Sequence, residues 1–151
     1  MTDPAPIHLD RDARAALLAV ADPGELHEVS RRCIDLVGEP ITALPPETGL
    51  VMLQVREPVQ AERFHLGEVV VSRAEVEWPD AGGAIGWAMR LGTDRVAALA
   101  AAVCDGAAEI DPDAAVEVDR LCREVEVRRE RALVAEWAEL LATRVAFEEL
   151  D

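Results

Sequence analysis

The apolar positions follow a helical spacing at both ends of the chain and a strand-like alternation in its middle. A first helix is predicted over residues 11–21, with one apolar face: Ala13, Leu17, Val20 and Ala21. Asp22, Pro23 and Glu25 then have the spacing of an N-cap, a first-turn proline and the acid of a capping box. They predict a second helix that ends at Gly38. Its inward residues are expected to be Leu26, Val29, Cys33, Leu36 and Val37.

Three segments in the middle of the chain alternate like strands with one buried face. They cover residues 50–57, 65–78 and 83–92, and the short loops between them favour an antiparallel meander. The connector before them, residues 39–49, holds three prolines and is expected to be irregular.

Within the second strand, Gly67 predicts a bulge or a close backbone approach. Arg73 and Glu75 share a face two residues apart, so we expect a local ion pair between them. In the third strand, Gly86 and Ala88 leave room for a close neighbour. The face of the second strand opposite to Arg73 comprises Glu68, Val70, Ser72, Ala74, Val76 and Trp78.

Two further helical regions complete the chain. Residues 94–109, capped by Thr93 or Asp94, are predicted to cover one face of the sheet. The expected packing residues of this helix are Val96, Leu99, Val103 and Cys104. Residues 111–150 form the second region. The fold class is therefore α+β: one domain over residues 1–151, with a small antiparallel β-meander of about three strands, flanked by N-terminal helices and a long C-terminal helical region. Residues 1–10 are expected to be disordered.

The last helical region contains an interruption. An apolar seam of Val118, Leu121 and Val125 is followed by the charged run EVRRER, in which Arg128 would be paired with Glu124. Either the helix breaks there, or its first half packs on the domain while its second half reaches another protein. The second alternative makes residues 131–151 a partner-docking helix. Its apolar positions are Leu133, Trp137, Leu140 and Leu141.

The charge balance restricts the possible partners. Thirty acidic residues oppose 15 basic ones, giving a net charge of -15 and a pI near 4.5. Such a surface repels phosphate backbones and anionic membranes, so no nucleic-acid partner is expected. The chain has no apolar run of membrane-spanning length and no basic segment leading into an apolar one at its start, which predicts a cytoplasmic protein without a membrane partner.

The chain also lacks the groups of several enzyme classes. It has no lysine, which excludes a Walker A loop, a kinase-type lysine and a Schiff base, although a GC-rich coding sequence also disfavours lysine. The cysteines and histidines are dispersed, so we expect reduced core cysteines and no metal site. These residues are Cys33, Cys104, Cys122, His8, His27 and His65.

Four stretches together carry a resemblance to a known family. They read PPETGLVMLQVRE, FHLGEVVVSRAEVEW, GAIGWAMRLGTDRVAALAAAVCD and, near the end, ATRVAF. In this order they resemble PhnG, a subunit of the bacterial carbon-phosphorus lyase system for phosphonate utilisation. Departures are His65, Ser72, Ala146 and Glu148. The family-motif residues are Glu47, Thr48, Gly49, Leu50, Phe64, Leu66, Gly67, Glu68, Arg73, Gly86, Gly92 and Asp94.

The resemblance implies an accessory role in an enzyme complex. The partners would be PhnI above all, with PhnH, PhnJ and PhnL, and the reaction would be displacement of adenine from MgATP by an alkylphosphonate, giving a ribose 1-alkylphosphonate 5-triphosphate. MgATP would be a substrate of the assembled complex, and this chain would need no cofactor and supply no catalytic residue. Candidate phosphate or partner contacts are Arg73, Arg90 and Arg144. Candidate interface residues are Trp137, Thr143, Arg144 and Phe147.

Two other functions remain open at this point. One is a free-standing protein-binding adaptor unrelated to phosphonates, whose final helix recognises a partner. The other is an independent hydrolase or nucleosidase that uses Glu68 or Glu47. Turnover of ATP to adenine by the chain alone would distinguish the last from the accessory role.

Overall fold

A computed structural model describes residues 9–142 of the chain. Its three strands form one antiparallel sheet in the order β1-β2-β3, so the predicted α+β meander is confirmed. Of residues 1–10, expected to be disordered, Asp10 caps the first helix, and residues 1–8 lie outside the described part. Thr143, Arg144 and Phe147 also lie outside it. The elements in chain order are α1 (Arg11–Leu18), α2 (Pro23–Val37), β1 (Ile41–Arg56), β2 (Arg63–Trp78), a 3-10 turn (Pro79–Ala81), β3 (Ala84–Leu91), α3 (Arg95–Ile110) and α4 (Pro112–Ala142).

Helix α3 is the centre of the core because its side chains are small. It lies against β2 and β3 on one side and against α2 and α4 on the other, and positions 100–107 are all buried. A Cβ atom on Gly86 would stand 2.1 Å from the carbonyl oxygen of Ala102, so only glycine permits this approach. The close neighbour predicted at Gly86 is therefore confirmed. Trp78 fills the space beside Gly106 and donates its indole N–H to the Gly38 carbonyl at 2.9 Å.

Of the two reciprocal contacts of the predicted capping box at the start of α2, only the one made by Asp22 is present. The Asp22 carboxylate accepts from the backbone N–H groups of Gly24 at 2.9 Å and Glu25 at 3.2 Å, as expected. The Glu25 carboxylate instead binds the guanidinium of Arg128 on α4. The predicted pairing of Arg128 with Glu124 is therefore wrong, because the tertiary partner competes successfully with the one on the same helix.

Three apolar residues assigned to inward faces are exposed. Helix α1 ends at Leu18, three residues earlier than predicted, so Val20 lies in the following turn. Leu36 is in the last turn of α2 and Val96 is in the first turn of α3, where the neighbouring elements no longer cover the helix. All three side chains are close to half exposed.

Strand β1 begins within the connector that was expected to be irregular, so that prediction is wrong. Pro45 and Pro46 are accommodated because β1 is an edge strand and its register shifts on both sides of Leu44. The predicted bulge at Gly67 is confirmed. Leu53 pairs with Gly67 and the next residue of β1 pairs with His65, which leaves Leu66 without a partner, and Gly67 takes a φ of 153°.

A buried ionic cluster joins α1, α3 and the free edge of β3. The carboxylate of Asp105, 2% exposed, accepts hydrogen bonds from Arg11 at 2.7 Å and from the backbone N–H of Trp87 at 3.0 Å. Arg11 also donates to the carbonyl of Ile85 at 2.7 Å. The buried guanidinium of Arg14 binds Glu109 and lies 4.0 Å from Asp105. Side chains therefore cover the free edge of β3 around Trp87.

The three cysteines are buried and free, as predicted. Burial raises the pKa of Cys122 to about 12, and its thiol donates weakly to the Arg14 carbonyl at 3.9 Å. The hydrogen bond with Cys33, together with burial, raises the pKa of Cys104. The thiols of Cys104 and Cys122 are therefore protonated core residues at neutral pH.

Candidate interaction surfaces

The motif residues of β1 and β2 meet where the sheet changes from three strands to two. Glu47 lies opposite Arg73, and its carboxylate oxygen is 2.5 Å from Nη2 and 2.7 Å from Nε of that guanidinium. The predicted pair of Arg73 with Glu75 is wrong, because a residue directly across an antiparallel ladder is closer than one two positions along the strand. Both side chains of the observed pair remain about half exposed.

A second set of motif residues fastens the end of β3 to the sheet. The hydroxyl of Ser72, fully buried, donates to the Gly92 carbonyl at 2.9 Å and lies 3.3 Å from the hydroxyl of Thr48. The Gly92 N–H in turn donates to the Val70 carbonyl at 2.8 Å. Asp94 then caps α3 by accepting from the Ala97 N–H at 2.9 Å. These motif residues have contacts that serve the fold.

Arg90, a candidate phosphate contact, has a buried guanidinium in the structure. It donates to the carbonyl oxygen of Leu18 and, at 2.7 Å, to that of Ala21. These bonds satisfy backbone acceptors at the end of α1 and in the turn that follows. Burial lowers its pKa, although it remains charged at neutral pH. These contacts give Arg90 a structural role. Arg144, another candidate, lies outside the described residues.

The two carboxylates considered for catalysis have different surroundings. Glu68 lies opposite Met52 on the two-stranded part of the sheet and is exposed, whereas Glu47 is held by Arg73. Within residues 9–142, no three His, Cys, Asp or Glu side chains are grouped so that they could hold a metal ion. None of the helices in the described part of the chain combines the length and apolar character that crossing a membrane takes.

The β1–β2 hairpin extends beyond β3 as a two-stranded projection. Strand β3 pairs with residues 71–78 of β2 only, so residues 50–56 and 63–70 pair with each other alone. We call these two segments the hairpin arm. A ribbon of two strands cannot cover either of its own faces. The exposed apolar side chains of the hairpin arm are Leu50, Met52, Leu53, Phe64, Leu66 and Val70.

A second apolar projection is the C-terminal half of α4. The helix is continuous over 31 residues, about 47 Å, so the predicted alternative of a break is wrong within the described range. Its first half is buried through Val118, Leu121 and Val125. We call residues 126–142 the distal helix, and its large apolar side chains are all exposed: Val127, Leu133, Val134, Trp137, Leu140 and Leu141.

The sequence predicted residues 131–151 as a partner-docking helix, of which the structure describes residues 131–142, but it did not identify the hairpin arm. One available signal was the mismatch in strand length, since the second predicted strand exceeds the third by several residues. A longer hairpin beside a short third strand must extend past it. The apolar residues at its end then have no partner within the sheet.

The fold and these surfaces together define a class of protein: a small α+β domain with two projections whose large apolar side chains are exposed. Residues 9–150 match the family model described as phosphonate metabolism protein PhnG. The chain is also 36% identical over 131 residues to the alpha-D-ribose 1-methylphosphonate 5-triphosphate synthase subunit PhnG of Rhizobium meliloti (strain 1021), covering 87% of this chain and 81% of that protein. The chain belongs to the PhnG family.

Proposed function

We propose that this chain is an accessory subunit of an alpha-D-ribose 1-methylphosphonate 5-triphosphate synthase complex in the cytoplasm. Its role is to hold a catalytic partner, PhnI, in its active arrangement, with PhnH, PhnJ and PhnL in the larger complex. The assembled enzyme displaces adenine from MgATP with an alkylphosphonate. A relative that is itself named a subunit of such a synthase supports the assignment.

The observation that carries the proposal is the apolar surface of the two projections. The distal helix exposes Trp137 at 63% and Leu133 at 61%, and the hairpin arm exposes Leu66 at 62%. Exposing such side chains in contiguous patches is unfavourable in water unless another surface covers them, because each buried apolar Å² contributes about 25 cal/mol. A permanent partner removes that cost.

The surroundings of the two carboxylates considered for catalysis support an accessory role. Glu47 is engaged by Arg73, and Glu68 lies exposed on the hairpin arm without an ion pair to any residue of 9–142. Nucleoside chemistry needs a base or nucleophile placed next to the reacting bond, together with groups that stabilise developing charge. The accessory role accounts for a chain that presents surfaces and leaves the chemistry to its partner.

A turnover assay tests the division of labour. We expect the purified chain to release no adenine from MgATP and methylphosphonate, and the mixture with PhnI, PhnH, PhnJ and PhnL to release it. Omission of this chain from the mixture should reduce the rate strongly. Release of adenine by the chain alone, lost on the Glu68→Gln substitution, would instead identify an independent nucleosidase.

A binding assay tests the distal helix directly. In a pull-down through tagged PhnI, we expect the double substitution Leu133→Gln with Trp137→Gln to abolish capture, since it removes the apolar anchors without breaking the helix. Glu139→Gln, on the opposite side of the same helix, is the matched control and should be captured like the wild-type chain. Full capture of the double variant would contradict docking through this helix. Failure to capture the wild-type chain would favour an adaptor with another partner.

A further inference from the structure

One face of the sheet is covered by α3, and the other, which we call the outer face, presents apolar residues. Alternation places Ile85, Trp87 and Leu91 of β3 on the outer face, where they are 45%, 41% and 74% exposed. An antiparallel sheet with one solvated face usually carries polar residues there. This row of large apolar side chains is typical of a face that contacts another protein.

A hollow lies in the outer face beside this row. Gly49 of β1 pairs with Val71 of β2, and together with Val51 and Met89 they line a cavity of about 240 Å³. The ion pair of Glu47 and Arg73 forms one rim. A cavity of roughly 150 Å³ already accepts a benzene-sized group, so this one has room for a side chain.

Gly49 creates the hollow, and the fold itself does not require a glycine there. Its φ lies outside the left-handed region, and no heavy atom comes within 4 Å of the position a Cβ would occupy. This contrasts with Gly86, which the approach of α3 makes necessary. Glycine weakens a strand interior and often marks a place where another molecule approaches closely. The absence of a side chain at Gly49 is therefore most simply explained by something that enters the hollow from outside.

The charges around the outer face indicate the chemistry of the occupant. Glu75 lies opposite Trp87 and Glu77 lies opposite Ile85, which places two carboxylates on the outer face next to the apolar row. Neither carboxylate forms an ion pair within residues 9–142. A second copy of the chain, with its own net charge of -15, would bring the wrong sign to this face. The complementary surface is a basic one.

We propose that the outer face binds a segment of a partner subunit that inserts one apolar side chain into the hollow at Gly49 and places arginine or lysine side chains against Glu75 and Glu77. The proposal rests on the function proposed above and identifies a contact distinct from the distal helix. The apolar side chain supplies most of the affinity, as a buried anchor does, and the two carboxylates set the orientation of the segment.

The test fills the hollow without disturbing the fold. Gly49→Leu and wild-type chains are co-expressed with tagged PhnI, PhnH and PhnJ, and the ratio of variant to wild type in the captured complex is compared with the ratio in the lysate. We expect the captured ratio to fall by about 30-fold, the effect of losing one strong interface anchor. Ala16→Leu adds a leucine side chain at an exposed position of α1, outside the sheet and both projections, and is expected to change the ratio by less than about twofold.

A second variant keeps the proposal testable if Gly49→Leu lowers the thermal unfolding temperature. Glu75→Arg with Glu77→Arg reverses the charge of the exposed outer face and should reduce the captured ratio at least about tenfold, less strongly at high salt because screening weakens the repulsion. Retention of a folded Gly49→Leu chain, or of the charge-reversed chain, at the wild-type ratio would overturn the proposal. Lack of capture of the wild-type chain would overturn the proposed function instead.

Discussion

The two halves of α4 have similar apolar content and opposite fates. In the first half, Val118, Leu121 and Val125 are at most 3% exposed, whereas in the second half Leu133 and Trp137 are above 60%. At 100° per residue, the centres of the two apolar stripes differ by roughly a third of a turn. A straight helix cannot direct both stripes at one core. The apolar stripe of the distal helix therefore does not pack in the core of this domain.

The largest effect is expected in the body of the domain, at the buried ionic cluster. Asp105→Ala should lower the free energy of unfolding by about 4 kcal/mol, because the N–H of Trp87 loses its buried acceptor, Arg11 loses its carboxylate partner and the buried charge of Arg14 loses a neighbouring carboxylate. Chemical denaturation followed by circular dichroism measures this. Glu130→Ala, an exposed carboxylate on the distal helix, is the control and should change stability by less than about 0.5 kcal/mol.

The next effect concerns the contact of α3 with the sheet. Gly86→Ala should destabilise the fold by about 3 kcal/mol, because the new Cβ would overlap the Ala102 carbonyl and force the helix outward. Gly49→Ala is the matched substitution at an open position of the same sheet, and it should leave the denaturation midpoint unchanged or raise it. Equal losses in the two variants would contradict the distinction between a glycine needed by the fold and one needed for an approaching molecule.

The comparison between the halves of α4 is sharpened by a pair of identical substitutions. Leu121→Ala should cost about 3 kcal/mol through the cavity it leaves in the core, whereas Leu133→Ala should stay within about 0.5 kcal/mol. Denaturant midpoints of the two variants provide the measurement. If Leu133→Ala destabilised the isolated chain as strongly as Leu121→Ala, the distal helix would belong to the core, and the proposal that it docks a partner would be wrong.

The smallest effect is expected at the boundary between the halves, where Arg128 binds Glu25. Their hydrogen bond lowers the pKa of Glu25 from its ordinary value of 4.5. A lowered carboxylate pKa stabilises the fold above that value, and the contribution is lost as the pH falls through the folded-state pKa. The stability difference between wild type and Glu25→Gln should therefore be present at pH 7, smaller than the leucine effect, and vanish in acid. Thermal unfolding of both chains, measured from pH 7 down into acid, tests this prediction. A stability difference between them that does not change with pH would contradict the ion pair.

Local patterns predicted most of the fold. The caps at Asp22 and Asp94, the alternation of β2 and the tight approach at Gly86 were all readable from the sequence, because each depends on residues near each other in the chain or on a single missing side chain. The start of β1 could not be predicted from the sequence. Pro45 and Pro46 are tolerated because β1 is an edge strand, and only the assembled sheet defines which strand lies at the edge.

The sites were less predictable because partners across the fold decide them. The choice of Glu47 over Glu75 by Arg73 depends on the register of β1 against β2, and the choice of Glu25 by Arg128 depends on how α4 crosses α2. The spacing of residues along the chain gives neither the register of the strands nor the crossing of the helices. The hollow at Gly49 likewise needs Val71 and Met89 from two other strands, so no local motif could identify it.

The exposed apolar stripe of the distal helix has a consequence for the abundance of the chain in the cell. A copy synthesised without companions presents Trp137 and its apolar neighbours to chaperones and proteases, which recognise such surfaces on incompletely assembled proteins. Assembly would shield them. Cellular abundance of this chain should then follow the supply of its companions, so that orphan copies are degraded and stoichiometry is corrected after translation.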